Sequence, residues 1–326
     1  MKKEPLKQQV RSVLRWIGWV LLVQFILINI SAALYADKLT RFYSNLPGNY
    51  SNSGSNIFSK SWKLFTGPKY SKPVVMTIPA RQYDTVKLVA KKGGIIDAWF
   101  MPVDSAAQGT IILFHGIAGC KTTNMDEAND FLYLGYNVML VDFRGHGSSS
   151  GHITTIGLRE AEEVKLAFDY VKNKGEKNIL LYGVSMGAVA VARAVYDYGL
   201  QPSGLILEAP FSSLQSYLKA KARSIGFPDQ PFAFFTTFWI GIEKGFNGYK
   251  HKTSRYVKSI KCPVLYQWGN LDNFVNEKEI NSIYQATASA NKRLVVYDGA
   301  EHESLLRNNP VQWRKEIEAF LGAGQK

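Results

Sequence analysis

Cysteine is scarce in this sequence of 326 residues, which contains only Cys120 and Cys262. Cys262 begins a predicted strand, whereas Cys120 follows the far end of another, so sheet geometry would separate them and we expect no disulfide. Neither cysteine has a partner at a metal-ligand spacing, and we expect no metal site.

Nucleic-acid motifs are also lacking. The net charge of +13 is dispersed along the chain rather than arranged in a stripe, so we expect no nucleic-acid partner.

Charged residues are absent from one long segment, Trp16 to Ala36. Its 21 residues, at a helical rise of about 1.5 Å each, span roughly 30 Å, the thickness of a bilayer's hydrocarbon core. The 15 residues before it contain five basic side chains against one acidic side chain: Lys2, Lys3, Lys7, Arg11 and Arg15 against Glu4. This bias predicts a single-pass membrane anchor over 16–36, with the basic tail 1–15 in the cytoplasm and the remaining chain on the extracytoplasmic side.

Two other interpretations of this segment stay open. Ser31-Ala32-Ala33 has the small residues of a cleavage site, so the segment is also compatible with a cleavable signal peptide and a secreted or periplasmic protein. A buried helix in a soluble core is the third interpretation, although such helices rarely stay uncharged over this length.

The region 37–73 has the composition of a linker. Ser44 to Ser55 is rich in Ser, Asn and Gly and predicts a flexible spacer. The following run, Ile57 to Phe65, alternates apolar side chains with lysines. It predicts either a short helix at the membrane interface or a segment that packs on the edge of the next domain.

Residues 74–322 have the pattern of one α/β domain. Short apolar runs predict strands that are buried on both faces, and helical patterns such as Leu158 to Lys172 and Ser185 to Tyr198 lie between the later runs. The alternation predicts a mostly parallel central sheet flanked by helices. The predicted strands are Val74 to Ile78, Thr85 to Ala90, Ile95 to Pro102, Thr110 to Phe114, Asn137 to Asp142, Asn178 to Tyr182, Gly204 to Leu207, Pro263 to Trp268 and Arg293 to Tyr297.

One connection in this domain, about 211–260, is too long for a simple crossover. It is rich in aromatic side chains, and its basic residues outnumber its acidic residues by eight to two between Phe211 and Lys258. Long connections in compact domains are usually functional, so we interpret this one as a helical lid over a binding site. An ordinary helical insertion with a solvated basic face is the alternative.

A nucleophile is predicted in Gly183-Val184-Ser185-Met186-Gly187, which lies between an apolar strand and a helical run. A serine there occupies a tight strand-to-helix turn that leaves its hydroxyl exposed, and the glycines avoid clashes within the turn. Gly147-Ser148-Ser149-Ser150-Gly151 also matches the pattern. No helical run follows it directly, so we interpret Ser149 as a loop residue.

A serine nucleophile needs a base, an acid and donors for an oxyanion. His302 follows the last predicted strand and is the predicted base, whereas His115 and His146 precede the serine in the chain. Asp272 follows the preceding strand and is the predicted acid, with Glu208 as its competitor. The predicted backbone donors are Met186, directly after the nucleophile, and Ile117, in the loop after Thr110 to Phe114.

These motifs resemble those of the α/β-hydrolase superfamily, roughly from Val74 to Leu321. The chain is most similar to its anchored esterases and lysophospholipases, with a lid after the sixth strand. The resemblance implies serine-dependent cleavage of small-molecule or lipid esters without a cofactor. A serine peptidase of the aminopeptidase type and a non-catalytic membrane-anchored binding protein are the alternatives. The resemblance rests on His115-Gly116, the loop from Asp142 to Ser148, Gly183 to Gly187, and Asp272 with His302.

Overall fold

An eight-stranded sheet forms the centre of the chain, in a computed structural model that describes residues 6–44, 56–75, 77–91 and 93–323. Its strands, in chain order, are β1 (Asp84–Val89), β2 (Ile95–Met101), β3 (Thr110–Phe114), β4 (Asn137–Val141), β5 (Ile179–Val184), β6 (Gly204–Glu208), β7 (Val264–Gly269) and β8 (Lys292–Tyr297). Their spatial order is β1-β2-β4-β3-β5-β6-β7-β8. The pairs β1–β2 and β2–β4 are antiparallel and the other pairs are parallel, which confirms the predicted mostly parallel sheet.

The helices are α1 (Leu6–Leu39), α2 (Ile57–Thr66), α3 (Met125–Tyr133), α4 (Ala161–Asn173), α5 (Met186–Tyr198), α6 (Leu214–Ser224), α7 (Asp229–Lys244), α8 (Thr253–Tyr256), α9 (Glu277–Ala286), α10 (Leu305–Asn308) and α11 (Pro310–Ala323). They cover both faces of the sheet. Ile112 on β3 packs in one apolar cluster with α4 and α5, whereas its neighbour Leu113 packs in a second cluster with α3 and α11. Successive side chains of β3 therefore enter opposite halves of the core, as strands buried on both faces require.

Eight of the nine predicted strands are present, with ends that differ by one or two residues from the prediction. The prediction of a strand over Val74 to Ile78 was wrong: residues 74, 75, 77 and 78 belong to no strand. Pro73 and Pro79 bracket this run, and the Val74 carbonyl accepts a bond from the Cys120 thiol instead of joining the sheet. Cys120 and Cys262 are both free, as expected.

The N-terminal helix α1 has two different environments along its length. From Val10 to Ile30 its large apolar side chains are mostly exposed, and the helix is long and apolar enough to cross a membrane. Its last two turns are buried in the domain, with Tyr35 and Ala36 almost completely covered. The predicted anchor therefore does not end in a free tether at residue 36, because the same helix continues into the core.

The expected linker 37–73 is structured in its described parts. Phe42–Tyr43 pairs in parallel with Tyr70–Ser71, and α2 forms over the predicted run. The Tyr35 hydroxyl donates to the Leu64 carbonyl at 2.7 Å, so α2 packs on the end of α1. Most of the predicted spacer, residues 45–55, and the basic residues before Leu6 lie outside the described residues.

The predicted helical insertion follows β6, the sixth strand of the sheet. It consists of α6, α7 and α8 with short 3-10 turns. Its α7 packs on α1: Phe235 contacts Phe25 at a ring-centroid distance of 5.8 Å, and the Trp239 indole N–H donates to the Asn29 side chain at 3.3 Å. These two aromatic side chains of the insertion therefore contact the N-terminal helix, an arrangement that the sequence pattern did not predict.

Candidate active site

Ser185 lies in a strained turn between β5 and α5. Its backbone angles are φ 51° and ψ −110°, a conformation that side-chain-bearing residues rarely adopt. The turn is held by the strands, because the Ser185 N–H donates to the Glu208 carbonyl at 2.8 Å. Ser185 also precedes the first residue of α5, so the N-terminal end of that helix lies beside its hydroxyl.

The glycines of the motif are required by close backbone approaches. A Cβ on Gly183 would lie 2.6 Å from the Ala188 nitrogen, and a Cβ on Gly187 would lie 2.3 Å from the Phe114 carbonyl oxygen. Both distances are shorter than any side chain tolerates. The turn can therefore be this tight, and α5 this close to β3, only with glycine at both positions.

The structure brings the predicted nucleophile, base and acid together in one hydrogen-bonded chain. His302 Nε2 lies 3.1 Å from Ser185 Oγ, and His302 Nδ1 lies 2.7 Å from Asp272 Oδ2. With the Nδ1 proton donated to the carboxylate, Nε2 is free to accept the serine proton. The three residues are distant in sequence and come from the turn after β5 and the loops after β7 and β8.

The Asp272 carboxylate is held by more than the histidine. Its other oxygen, Oδ1, accepts the backbone N–H groups of Phe274 at 2.7 Å and Val275 at 2.8 Å. The side chain is fully buried, so these donors offset the loss of water around its charge. They also fix the direction in which Oδ2 meets the imidazole.

The loops that carry Asp272 and His302 are joined to each other. A Cβ on Gly269 would lie 2.3 Å from the Ala300 carbonyl oxygen, so the two backbones touch where β7 ends. The Leu271 N–H donates to that same carbonyl at 3.0 Å, and the Asn270 side chain bonds Asp298 at 2.6 Å. The separation of the acid and the base is therefore set by backbone contacts.

The competing serine has a different environment. The Ser149 hydroxyl donates to the Asp142 carbonyl at 2.6 Å and accepts the Asp97 N–H at 2.8 Å. It is buried and follows no strand-to-helix turn. Its contacts join the loop after β4 to β2, in keeping with its interpretation as a loop residue.

The competing acid, Glu208, also lies apart from the hydrogen-bonded chain. Its Oε1 accepts the Trp313 indole N–H at 2.7 Å. Burial raises the pKa of Glu208 to about 8, and the carboxylate of Glu127 acts in the same direction. Glu208 is therefore mostly neutral near neutral pH, whereas an acid that stabilises an imidazolium must carry charge.

Three of the other histidines are buried and engaged. Burial lowers the pKa of His115 to about 3 and that of His251 to about 4, and it lowers the pKa of His146 as well. His115 Nε2 accepts the Phe143 N–H at 3.1 Å, and His251 lies between Ile156 and Tyr256. By contrast, the His302 side chain keeps 24% of its surface exposed.

The two predicted oxyanion donors lie on neighbouring elements. Met186 is the first residue of α5, where a backbone N–H has no intrahelical acceptor, and Ile117 lies in the loop after β3. Among the described residues, neither N–H donates to a protein acceptor. The Ile117 carbonyl is held 2.7 Å from His146 Nε2, and the His146 ring packs on Phe42, just beyond α1.

One contact of the site was missed in the sequence. The Phe274 ring lies 5.2 Å from the His302 ring, and Tyr217 of α6 stacks on Phe274 at 6.4 Å. The helical insertion therefore reaches the site through the stacked rings of Tyr217 and Phe274. The only available signal was that Phe274 comes two residues after the predicted acid.

This arrangement has the parts needed for acyl transfer. A serine in a strained turn lies within hydrogen-bonding distance of a histidine whose far nitrogen is held by a buried carboxylate. Among the residues that the structure describes, the backbone N–H groups of Met186 and Ile117 have no protein acceptor. Among the described residues, no group of three or more His, Cys, Asp or Glu side chains has a geometry suited to a metal ion.

Two hydrolase families match this chain in successive parts. Residues 105–232 match the family described as Serine aminopeptidase, S33, and residues 242–318 match the Dienelactone hydrolase family. The first match includes Ser185, and the second includes Asp272 and His302. The gap between the two matches, residues 233–241, lies within α7 of the helical insertion.

Two relatives illustrate the similarity in sequence. Protein YqkD of Bacillus subtilis is 26% identical over 216 residues, which are 65% of this chain and 70% of that protein. Lysophosphatidylserine lipase ABHD12 of Danio rerio is 26% identical over 201 residues, which are 59% of this chain and 50% of the lipase. The match thus spans about half the length of that lipase.

Solved structures share the fold. The esterase Pf2001 of Pyrococcus furiosus superposes with a TM-score of 0.64 at 22% identity, covering 77% of this chain and 97% of the esterase. An esterase from Exiguobacterium antarcticum superposes with a TM-score of 0.57 at 16% identity, covering 73% of this chain and 100% of that esterase. The predicted fold class, a mostly parallel sheet flanked by helices, is confirmed.

Proposed function

This chain is a member of the α/β-hydrolase superfamily, and from that premise we propose that it is a serine hydrolase that cleaves carboxylic esters through an acyl-enzyme intermediate. The observation that carries this proposal is the hydrogen-bonded chain from Asp272 through His302 to Ser185. The similarity to a lysophosphatidylserine lipase and to esterases supports ester substrates, including lipid esters.

In the proposed reaction the Ser185 oxygen attacks the ester carbonyl while His302 Nε2 takes its proton. The Met186 and Ile117 N–H groups stabilise the negative charge on the carbonyl oxygen. His302 then gives the proton to the leaving alcohol, which departs as the carbonyl re-forms on the serine. A water molecule, deprotonated by the same histidine, releases the acid and restores the enzyme.

The reaction is tested by labelling the full-length protein with a fluorophosphonate, which reacts with activated serines. We expect the parent protein to be labelled and Ser185→Ala to lose both labelling and most ester turnover, because no other group in the site can form the acyl-enzyme. Ser149→Ala is the matched control and should keep its labelling. Labelling that persists in Ser185→Ala but disappears in Ser149→Ala would refute the assignment of the nucleophile.

The substrate class is tested with a panel of esters and aminoacyl amides. The family described as Serine aminopeptidase, S33 makes peptide-like amides the second candidate. We expect turnover of esters to exceed that of the amides. Preferential cleavage of amides that have a free α-amine would refute the esterase assignment and support an aminopeptidase.

We also propose that α1 anchors the protein in a membrane, with the hydrolase domain on the extracytoplasmic side. The helix is unbroken through Ser31-Ala32-Ala33, and the Ser31 hydroxyl donates to the Phe65 carbonyl at 2.6 Å. Cleavage there would remove Asn29 and Phe25, which contact the lid. These contacts support an anchor that is retained.

The proposed topology is tested by adding protease to intact cells whose outer barrier has been removed. The hydrolase domain should be digested while the first 15 residues stay protected, as the basic flank requires. A hydrolase domain accessible only from the cytoplasm would contradict this. A soluble product that begins near Leu34 would support the signal peptide instead.

A further inference from the structure

An apolar groove lies where α1 leaves its exposed segment and meets the domain. It has a volume of about 320 Å³ and lies between α1, α2 and the lid. Ile28 and Ala32 line it from α1, Phe65 from α2, and Phe227 and Phe232 from the lid. This volume is at the lower end of the range of small-molecule sites, roughly 300–1,000 Å³.

The chemistry of the groove selects an apolar occupant. Among the described residues, Ser31 is the only lining residue with a polar side chain, and its hydroxyl is already bonded to the Phe65 carbonyl at 2.6 Å. The remaining lining side chains are aliphatic, aromatic or proline. A hydrocarbon chain would remove this surface from water, whereas a polar ligand would find no free partner there.

A basic recess lies beside the groove and shares α2 with it. It has a volume of about 260 Å³ and is lined by Lys38, Lys63 and Lys69, together with Thr66 and Trp62. No carboxylate lines it among the described residues. Lys38 Nζ donates to Thr66 Oγ1 at 2.6 Å, and this bond holds the Lys38 ammonium group at the wall of the recess. The recess therefore favours an anionic group.

The position of the two sites along α1 matches a bilayer. Lys38 follows the uncharged segment, at the expected level of the headgroups, and Ala32 lies six residues, or about 9 Å, deeper in the hydrocarbon. Trp62, which is 64% exposed at the recess, is a residue type enriched at that interface. The apolar groove thus lies at the depth of acyl chains, and the basic recess at the depth of phosphates.

We propose that this pair of sites binds one anionic glycerophospholipid of the bilayer, with an acyl chain in the groove and the phosphate in the lysine recess. The inference rests on the proposed membrane anchoring. The site is separate from Ser185, and its lipid is a resident ligand that holds α2 and the lid against the anchor. An acyl chain fits better than a second copy of the chain, because the groove is apolar and continuous with the exposed apolar surface of α1, which faces lipid in the proposed anchoring.

The test uses the full-length protein in phosphatidylcholine vesicles that carry a small fraction of phosphatidylglycerol with a diazirine on one acyl chain. After illumination, crosslinks should concentrate in peptides that contain Phe65 and Phe227 to Phe232. Ile28→Trp fills the groove and should reduce them about tenfold or more, because displacing two buried methylenes already has that effect. Val20→Trp, on the exposed part of the same helix, is the matched control and should leave them unchanged.

Charge is tested by the double variant Lys63→Glu with Lys69→Glu. It should reduce crosslinking of the phosphatidylglycerol probe by at least about tenfold, since each surface lysine contributes roughly fivefold, and spare a phosphatidylcholine probe. Lys258→Glu, in the lid but outside the recess, should change neither. Crosslinks spread evenly over Val10 to Ile30, or unaffected by Ile28→Trp, would overturn the proposal, as would a crosslinked dimer.

The same samples separate this proposal from the proposed hydrolase activity. Fluorophosphonate labelling and hydrolysis of a water-soluble short ester report on Ser185 alone and should survive the groove variants. A parent protein that crosslinks lipid as expected but is not labelled would refute the serine hydrolase and keep the lipid site. A protein that is labelled by the fluorophosphonate but shows no localised lipid crosslinks would refute the lipid site and keep the serine hydrolase.

Discussion

Replacing Asp272 by asparagine tests the proposed mechanism at one pair of atoms. The amide has nearly the shape of the carboxylate, and its oxygen can keep the N–H bonds from Phe274 and Val275. Its NH₂ group would then face His302 Nδ1 at the position of Asp272 Oδ2. Because that NH₂ can only donate, the imidazole proton must move to Nε2, which then donates to Ser185 instead of accepting its proton.

The size of the effect follows from losing the base while keeping the fold. A histidine in the wrong tautomer, with no carboxylate behind its charge, costs about 10⁴-fold in kcat. This corresponds to about 5 kcal/mol of transition-state stabilisation. Binding of the ester does not depend on the tautomer, so KM should change much less than kcat.

The assay is steady-state hydrolysis of a chromogenic short ester by the full-length protein in detergent, with thermal unfolding as a check on the fold. Glu208→Gln is the matched control, because it is the same kind of change at the competing acid and should alter kcat by less than about tenfold. A folded Asp272→Asn protein that retains more than about a tenth of the parent kcat would refute the reasoning. A large loss of kcat in Glu208→Gln, without one in Asp272→Asn, would indicate that Glu208, at the end of β6, is the acid.

Two further predictions concern stability. Burial raises the pKa of Glu208 to about 8, so its contribution to the free energy of unfolding is present below its ordinary pKa of 4.5 and is lost as the pH rises through about 8. Glu208→Gln cannot ionise, and its free energy of unfolding should therefore fall less between those pH values; equal slopes in denaturant titrations would contradict this. Gly183→Ala should destabilise the protein by about 1–3 kcal/mol or more, because its Cβ meets backbone at 2.6 Å. Gly322→Ala, whose Cβ meets nothing within 4 Å, should be neutral or stabilising. A similar loss of stability in both variants would show that the close backbone approach at Gly183 is not what requires glycine there.

Local patterns in the sequence predicted the central sheet and the order of the site residues. Runs such as Thr110–Phe114 are apolar at every position because both faces are covered, and that signal is local. Ser185, Asp272 and His302 each follow a predicted strand, and the carboxyl ends of parallel strands meet at one edge of a sheet. Their proximity could therefore be predicted without knowing any distance.

Contacts between distant segments could not be predicted in the same way. The apolar run Val74 to Ile78 looked like a strand, yet strand formation depends on pairing with a neighbouring strand, and the described residues of the run belong to no strand. Packing of Phe235 on Phe25 joins positions that are 210 residues apart, and each side chain taken alone is equally compatible with a substrate pocket. The pKa of Glu208 depends likewise on burial that no local pattern records.

The burial of the last turns of α1 has a practical consequence for anyone who wants this protein without the exposed apolar part of that helix. A truncation that begins after residue 40 would delete Tyr35, Ala36 and Leu39, which are between 0% and 5% exposed. Phe227 and Phe232 would lose the ring they pack against and face water. A shortened protein of this kind should aggregate, whereas one that begins near Ser31, with polar replacements at the newly exposed lid aromatics, would keep its core and could be purified without detergent.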